Sequence, residues 1–240
     1  MAYEIIEEEP AGIKRAGFLT RAFTGAGFAL IWLAGIVIGL RWFVLPILCA
    51  VVAVIGIHEF MQLRRKFAPT WLNAILGFLY LVIPFACLML LRNTTTEGLG
   101  LCLALVLSVW GADTAAYIFG SLLGRHKLAP KISPKKSWEG FIAGIIVSML
   151  IWAIVPQFFV TGGVPWWLGA GMGFIVAWAG LGGDLFESQL KRRAGVKDAG
   201  TILPGHGGVL DRFDSLLAAA PVTLIVLLCL EIVVSLSGLI

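Results

Sequence analysis

A chain of 240 residues that is 59% hydrophobic and only 13% charged, with a mean hydropathy of +0.95, carries about half the charge of an ordinary soluble domain. So little polar surface cannot cover a water-soluble fold of this size, which excludes a soluble enzyme, a disordered chain and a disulfide scaffold. The net charge of +4 is modest, and where the basic residues fall matters more than their sum.

In chain order, an acidic start (Glu4, Glu7, Glu8, Glu9) gives way to Lys14, Arg15 and Arg21. The apolar run from Phe23 to Leu40 is longer than a signal-peptide core and lacks a cleavage site, so it reads as a retained first span. Further segments with the length and apolarity of a membrane helix lie at 42–61, 71–91, 98–120, 139–158, 165–182 and 215–238. The predicted fold class is an all-α polytopic membrane protein of about seven transmembrane helices with cytoplasmic polar loops. A tight hairpin at Gly39-Leu40-Arg41 joins the first two spans. No repeat or linker divides the chain, so residues 1–240 form a single membrane domain. Its N-terminal spans occupy 1–97, and a C-terminal half, 98–240, holds the chemistry. Cys49, Cys87, Cys102 and Cys229 are scattered through apolar runs and read as small buried side chains.

Positive loops stay on the cytoplasmic side. With the N-terminus inside, 16 of the 18 Lys and Arg fall in cytoplasmic segments, and only Arg41 and Arg92 fall outside. The polar segments 121–138 and 183–214 then face the cytoplasm.

Asp113 lies within the fourth span. A carboxylate there either pairs with a neighbouring helix to hold the bundle or faces a water-filled cavity, and the functional reading is favoured. His58 and Glu59, just before Arg64, Arg65 and Lys66, read as interfacial residues that snorkel to headgroups or pair locally. Glu231 is assigned no site. The turn Lys131-Ile132-Ser133-Pro134-Lys135-Lys136-Ser137-Trp138-Glu139-Gly140 is either a phosphate site or a positive-inside loop drawn to anionic lipid. Ser137 and Glu139 can begin the next helix.

The densest chemistry runs from Gly182 to Ser215. If a helix starts at Asp184, then Asp184, Glu187, Ser188 and Lys191 share one face at i, i+3, i+4 and i+7. Pro204-Gly205-His206-Gly207-Gly208 is a tight loop whose backbone N–H groups can approach an anion closely. Asp211 and Asp214 are one turn apart at the start of the last span. Carboxylates beside many Lys and Arg at a membrane interface suggest a divalent metal with phosphates, because Mg²⁺ is typically held by one or two carboxylates and substrate phosphate oxygens. Gly169-Ala170-Gly171-Met172-Gly173, inside an apolar run, reads as helix packing through small residues.

Ser188, Lys191-Arg192, Lys197-Asp198, His206-Gly207-Gly208 and Asp211-Arg212-Phe213-Asp214 occur without insertion over 27 residues. This pattern resembles the signature of the CDP-diacylglycerol synthases, or phosphatidate cytidylyltransferases. Asp113-Thr114 and Ser133-Pro134-Lys135-Lys136-Ser137-Trp138-Glu139-Gly140 also look like the family's elements, and the chain's length implies fewer N-terminal spans than its longer members have.

The resemblance implies a reaction in phospholipid biosynthesis: CTP and phosphatidate give CDP-diacylglycerol and pyrophosphate, with Mg²⁺ and a monovalent cation such as K⁺. It further implies a homodimer in the bacterial inner membrane, with the lipid bilayer and no nucleic acid as partner. Asp184 and Asp211 match metal-binding aspartates, Asp214 lies close to that centre, and Ser188, Lys191 and Arg192 match positions lining the pocket. The expected catalytic set is Asp184, Asp211, Lys191 and Asp214. Lys191, Arg192, Lys197 and Arg212 would steady the triphosphate, while Lys135 and Lys136, with Ser137 beside them, would hold the lipid phosphate. His206, Gly207 and Gly208 complete the expected binding loop. A CTP-dependent lipid kinase has the same needs, and a cation-coupled transporter using Asp113 and Glu231 leaves this loop unexplained.

Overall fold

The computed structural model describes residues 25–27, 29–38, 43–65, 67, 69–93, 97–161, 163–200, 202 and 207–236. Its helices are α1 (Gly25–Val37), α2 (Val44–Arg64), α3 (Thr70–Asn93), α4 (Gly98–Leu123), α5 (Trp138–Ile154), α6 (Trp166–Ala194) and α7 (Leu210–Leu236). Six of them, α2 to α7, are long and apolar enough to cross a membrane, α5 with the 3-10 turn Val155–Phe158 that extends it. The protein is an all-α polytopic membrane protein. Helix α1 is a shorter apolar helix within the predicted first span, and the predicted hairpin at Gly39-Leu40-Arg41 lies outside the described residues.

Two boundaries differ from the sequence expectation, each for a physical reason. The predicted polar segment from 183 onward is not a loop at its start, and Asp184 does not begin a new helix. Helix α6 runs unbroken through Gly182-Gly183 to Ala194 and ends on Gly195, which takes a left-handed φ of 74°. There the N–H groups of Gly195 and Val196 bond back to the carbonyls of Arg192 and Lys191 at 3.1 and 3.0 Å. At 1.5 Å per residue its 29 residues reach about 44 Å, well beyond a hydrocarbon core of about 30 Å. Its polar last third therefore projects past the apolar slab while keeping helical geometry.

The second difference is in the segment 121–138, which holds an antiparallel hairpin, β1 (Lys127–Ala129) and β2 (Ser133–Ser137). Pro134 sits in β2. The expected start of α5 is borne out: the Ser137 hydroxyl accepts the Gly140 N–H at 3.3 Å. Glu139 accepts from His126 Nδ1 at 2.6 Å, tying the hairpin's root to the helix.

Among the described residues, the basic segments assigned to one side of the membrane gather on one face of the bundle. Arg64 at the end of α2 donates to Asn73 of α3 at 3.1 Å, and Arg192 of α6 donates to the Ile132 carbonyl in the hairpin turn at 3.2 Å. Arg92 sits at the opposite end, buried, with its Nε donating to the Ile36 carbonyl at 2.9 Å. It thereby satisfies an orphan carbonyl in the last turn of α1.

Close helix approach sets the frame for the polar face. Gly169 and Gly173 meet the backbone of α5, as expected for small-residue packing, whereas Gly171 faces open space. At Gly183 an added Cβ would run into the Asp214 carbonyl and come within 2.9 Å of the Ala218 Cβ. The absence of a side chain there brings α6 and α7 together at the level of their acidic residues. Gly183→Ala is therefore expected to destabilise the fold by about 1–3 kcal/mol through overpacking. A lowered thermal unfolding midpoint in detergent checks this, and an unchanged midpoint contradicts it.

Phe213 anchors the start of α7 from the other side. It is buried and meets Trp32 edge-on at 4.9 Å between centroids and Phe85 at 5.5 Å. With Phe213 turned into this aromatic cluster, Asp211 and Asp214 are left facing α6.

Candidate active site

The spacing along α6 does place Asp184, Glu187, Ser188 and Lys191 on one face. The Ser188 hydroxyl donates to Asp184 Oδ1 at 3.2 Å, and Lys136 of β2 forms an ion pair with Asp184 Oδ2. One turn further along, Lys191 Nζ stands 2.5 Å from Asp211 Oδ1 and 3.4 Å from Glu187 Oε1. Glu187 is fully buried, and neither of its carboxylate oxygens has a hydrogen-bond donor. Its carboxyl group lies near those of Asp214 and Asp211. Asp214 accepts the Ser215 N–H at 2.7 Å. The cluster thus concentrates four carboxylates around two ammonium groups in a largely buried place, where electrostatic interactions are stronger than in water.

The loop before α7 wraps around carboxylates of the protein itself. Asp211 Oδ2 accepts the N–H groups of Ala199 and Gly208, both at 2.8 Å. Glu59 of α2, only 2% exposed, accepts from Val209 at 3.1 Å and from Leu210 at 2.8 Å. Gly207 takes a φ of 82°, and a Cβ there would come 2.9 Å from Asp211 Oδ2. The glycines of this loop allow the close approach to an anion that their pattern suggested, and in this structure the anions are Asp211 and Glu59.

Adjoining the carboxylate cluster at Asp184 lies a cavity of ≈ 630 Å³ lined by α4, α5, α6, the hairpin and Ser215 of α7. Asp113 lines it from α4, Lys135 and Lys136 from β2, Ser137 from the start of α5, and Asp184 from α6. Val109, Phe141 and Val176 give it an apolar wall. The residues of the hairpin and of Asp113, separated by 20 or more positions in sequence, therefore open onto one space with Asp184.

The predicted residues fall into two adjoining groups that share Asp184. Asp113, Lys135, Lys136 and Ser137 belong to the cavity. Ser188, Lys191, Asp211 and Asp214 belong to the α6–α7 cluster. Arg192 is exposed and pins the hairpin turn. Lys197 and Arg212 are exposed beside the loop, Gly207 and Gly208 shape it, and His206 lies outside the described residues.

Three residues had not been assigned to the site. Glu59 had the appearance of an interfacial side chain, and nothing local announces a contact some 150 positions away. Glu187 was placed on the correct face, but its full burial is a tertiary property. Tyr80 of α3 packs between Phe60 and Phe186, and its buried hydroxyl, on the side of Glu187, Asp214 and Asp184, has no hydrogen-bond partner. A lone tyrosine in an apolar span gives no signal of such a place.

A family model described as a cytidylyltransferase family matches residues 65–230, more than half of the chain. The chain belongs to the cytidylyltransferase family. It is 49% identical over 140 residues to a phosphatidate cytidylyltransferase of Staphylococcus saprophyticus, covering 58% of this chain and 54% of that protein. Proteins of the same name from Staphylococcus haemolyticus and Staphylococcus aureus are 50% identical over 135 residues and 46% over 140. Those alignments cover 56% and 58% of this chain and 52% and 54% of the relatives. The aligned stretch spans about half the length of the relatives it matches. The family match takes in the cavity, the hairpin and the α6–α7 cluster, and it leaves out Glu59.

The donor set suits a hard divalent cation, being carboxylate oxygen throughout, with two Glu187 oxygens that no hydrogen bond occupies. Among the described residues no three His, Cys, Asp or Glu side chains converge closely enough to enclose an ion by themselves. This pattern fits a cation held by one or two carboxylates and completed by substrate phosphates, as Mg²⁺ commonly is. Asp184 and Asp211 each share their charge with a lysine.

Proposed function

We propose that this member of the cytidylyltransferase family is a phosphatidate cytidylyltransferase acting at the cytoplasmic face of a bacterial inner membrane. The observation that carries the reading is the pair of lysine–aspartate contacts, Lys136–Asp184 and Lys191–Asp211, on the projecting end of a membrane helix beside a cavity with an apolar wall. Carboxylates and ammonium groups so arranged suit two phosphate-bearing reactants, one of them lipidic.

In the proposed reaction an oxygen of the phosphatidate monoester forms a bond to the α-phosphorus of CTP. The bond from that phosphorus to the bridging oxygen breaks, and pyrophosphate leaves with the electron pair. The monoester is already anionic at neutral pH, so no general base is required. Lys135 and Lys136 hold the lipid phosphate at the cavity rim, with the acyl chains directed along the apolar wall. Lys191, Arg192, Lys197 and Arg212 offset the charge of the triphosphate and of the departing pyrophosphate. Asp184 and Asp211 would hold Mg²⁺, which when bound supplies charge neutralisation and alignment of phosphate oxygens. Catalysis on this account is mainly positioning and electrostatics. K⁺ as a second cation and a homodimeric assembly belong to the same proposal.

Radiolabel placed at the α- or the γ-phosphate of CTP separates this reading from lipid kinase chemistry. Purified protein given phosphatidate and Mg²⁺ is expected to move α-label into lipid and γ-label into pyrophosphate. Transfer of γ-label to lipid with release of CDP would identify a kinase instead.

A further inference from the structure

Glu59 lies on α2, before the first residue of the family match, yet the start of α7 rests on it. Its two oxygens accept separate N–H groups, Oε1 from Val209 at 3.1 Å and Oε2 from Leu210 at 2.8 Å. These are the N–H groups that a helix start leaves unpaired, and the helix dipole favours a negative charge there. The preceding N–H, from Gly208, goes to Asp211. Three consecutive backbone amides are therefore fixed by two carboxylates, one of which is itself a candidate active-centre residue.

The fit leaves no slack. A Cβ on Gly208 would stand 2.7 Å from Glu59 Oε2, and a Cβ on Gly200 would stand 2.8 Å from the Glu59 Cδ. Both strands of the loop close on this one side chain. Because Asp211 and Asp214 sit in the first two turns of α7, a shift or rotation of the helix start moves both relative to Asp184, Glu187 and Lys191.

We propose that Glu59 is a positioning residue for the active centre. It sets the direction of Asp211 and Asp214 by seating the first turn of α7. The inference rests on the assignment of Asp211 to the active centre, and it gives the N-terminal spans a part in the chemistry beyond anchorage.

The test compares Glu59→Gln and Glu59→Asp with the wild-type full chain in detergent. Glutamine keeps the size but has one acceptor oxygen, so its NH₂ group meets a backbone N–H. Aspartate keeps both acceptors and draws them back by one methylene. For Glu59→Gln, kcat for cytidylyl transfer is expected to fall about 10- to 100-fold, as for other small misplacements of reacting groups. KM for CTP should move by less than about threefold, since the loss is of alignment rather than of uniform binding. Glu59→Asp should fall between. Hydrogen exchange of the peptide amides over 199–212 should quicken in the same order.

Unchanged kcat in the glutamine variant overturns the proposal, whether or not exchange quickens, because the residue would then be a cap and nothing more. A fall in kcat with unchanged exchange over 199–212 overturns it as well. If neither variant folds, Gly208→Ala, which crowds Oε2 from the loop side, is expected to give the same paired loss of kcat and protection. Exchange is read on the protein whether or not it turns over CTP. A failure of the cytidylyltransferase reading would therefore show as an inactive wild type, distinct from a failure of Glu59 to seat α7.

Discussion

Replacing Asp211 by asparagine is expected to lower cytidylyl transfer by about 10²- to 10³-fold, the size of effect seen when one preorganised electrostatic contact is removed from an active centre. The substitution preserves volume, so the cause would be charge and hydrogen bonding. Asp211 Oδ2 accepts two backbone N–H groups while Oδ1 accepts the Lys191 ammonium. An asparagine has a single acceptor oxygen, and its NH₂ must point either at the ammonium or at the two N–H donors. Either choice places donors against donors and removes the negative charge that Lys191, and a cation at this place, would meet. Steady-state rates with CTP and phosphatidate check the prediction, with the unfolding profile as control. Near-normal turnover in a folded Asp211→Asn protein would remove Asp211 from the proposed centre.

The largest expected effect on stability is at Lys191. Its ammonium lies between Glu187, which is fully buried, and Asp211, whose side chain is 6% exposed. Lys191→Met keeps much of the apolar stem and deletes the charge. Two carboxylates are then left without their ammonium, and breaking a buried pair in this way typically destabilises by about 3–5 kcal/mol. For a chain of this size each kcal/mol lowers the unfolding midpoint by about 2–4 °C. The double variant Lys191→Met/Glu187→Gln should recover part of the loss, because one of the stranded charges is gone. A single variant as stable as the wild type, or a double variant less stable than the single one, would contradict this account of the cluster.

Much of this architecture is legible in the residues because membrane physics reads directly into sequence. Spans need length and apolarity, so α2 to α5 fall within a few residues of the expected bounds. The i, i+3, i+4, i+7 spacing of Asp184, Glu187, Ser188 and Lys191 fixes a shared helix face wherever the helix begins, which is why that face survived a misplaced helix start. The start itself was misplaced because Gly182-Gly183 looks like a break. Gly183 in fact removes a side chain where α6 passes α7, and only the partner helix reveals that.

Contacts between distant residues were the part that could not be read. Glu59 looked like one more charge near Arg64 and Arg65, and its role depends on a loop that folds back onto it. The pairing of Lys136 with Asp184 depends likewise on a hairpin that the segment's basic composition had concealed. Local chemistry marks the groups that can act, whereas burial and partnership belong to the packed bundle.

The most direct test pairs the wild-type protein with Asp184→Asn, both purified in detergent and supplied with phosphatidate, Mg²⁺ and CTP labelled at the α-phosphate. Asp184 is the residue that the cavity and the α6–α7 cluster share. The account predicts labelled CDP-diacylglycerol and an equal amount of pyrophosphate from the wild type, and almost none from a variant that unfolds at the same temperature. Label entering lipid at similar rates in both proteins would contradict it.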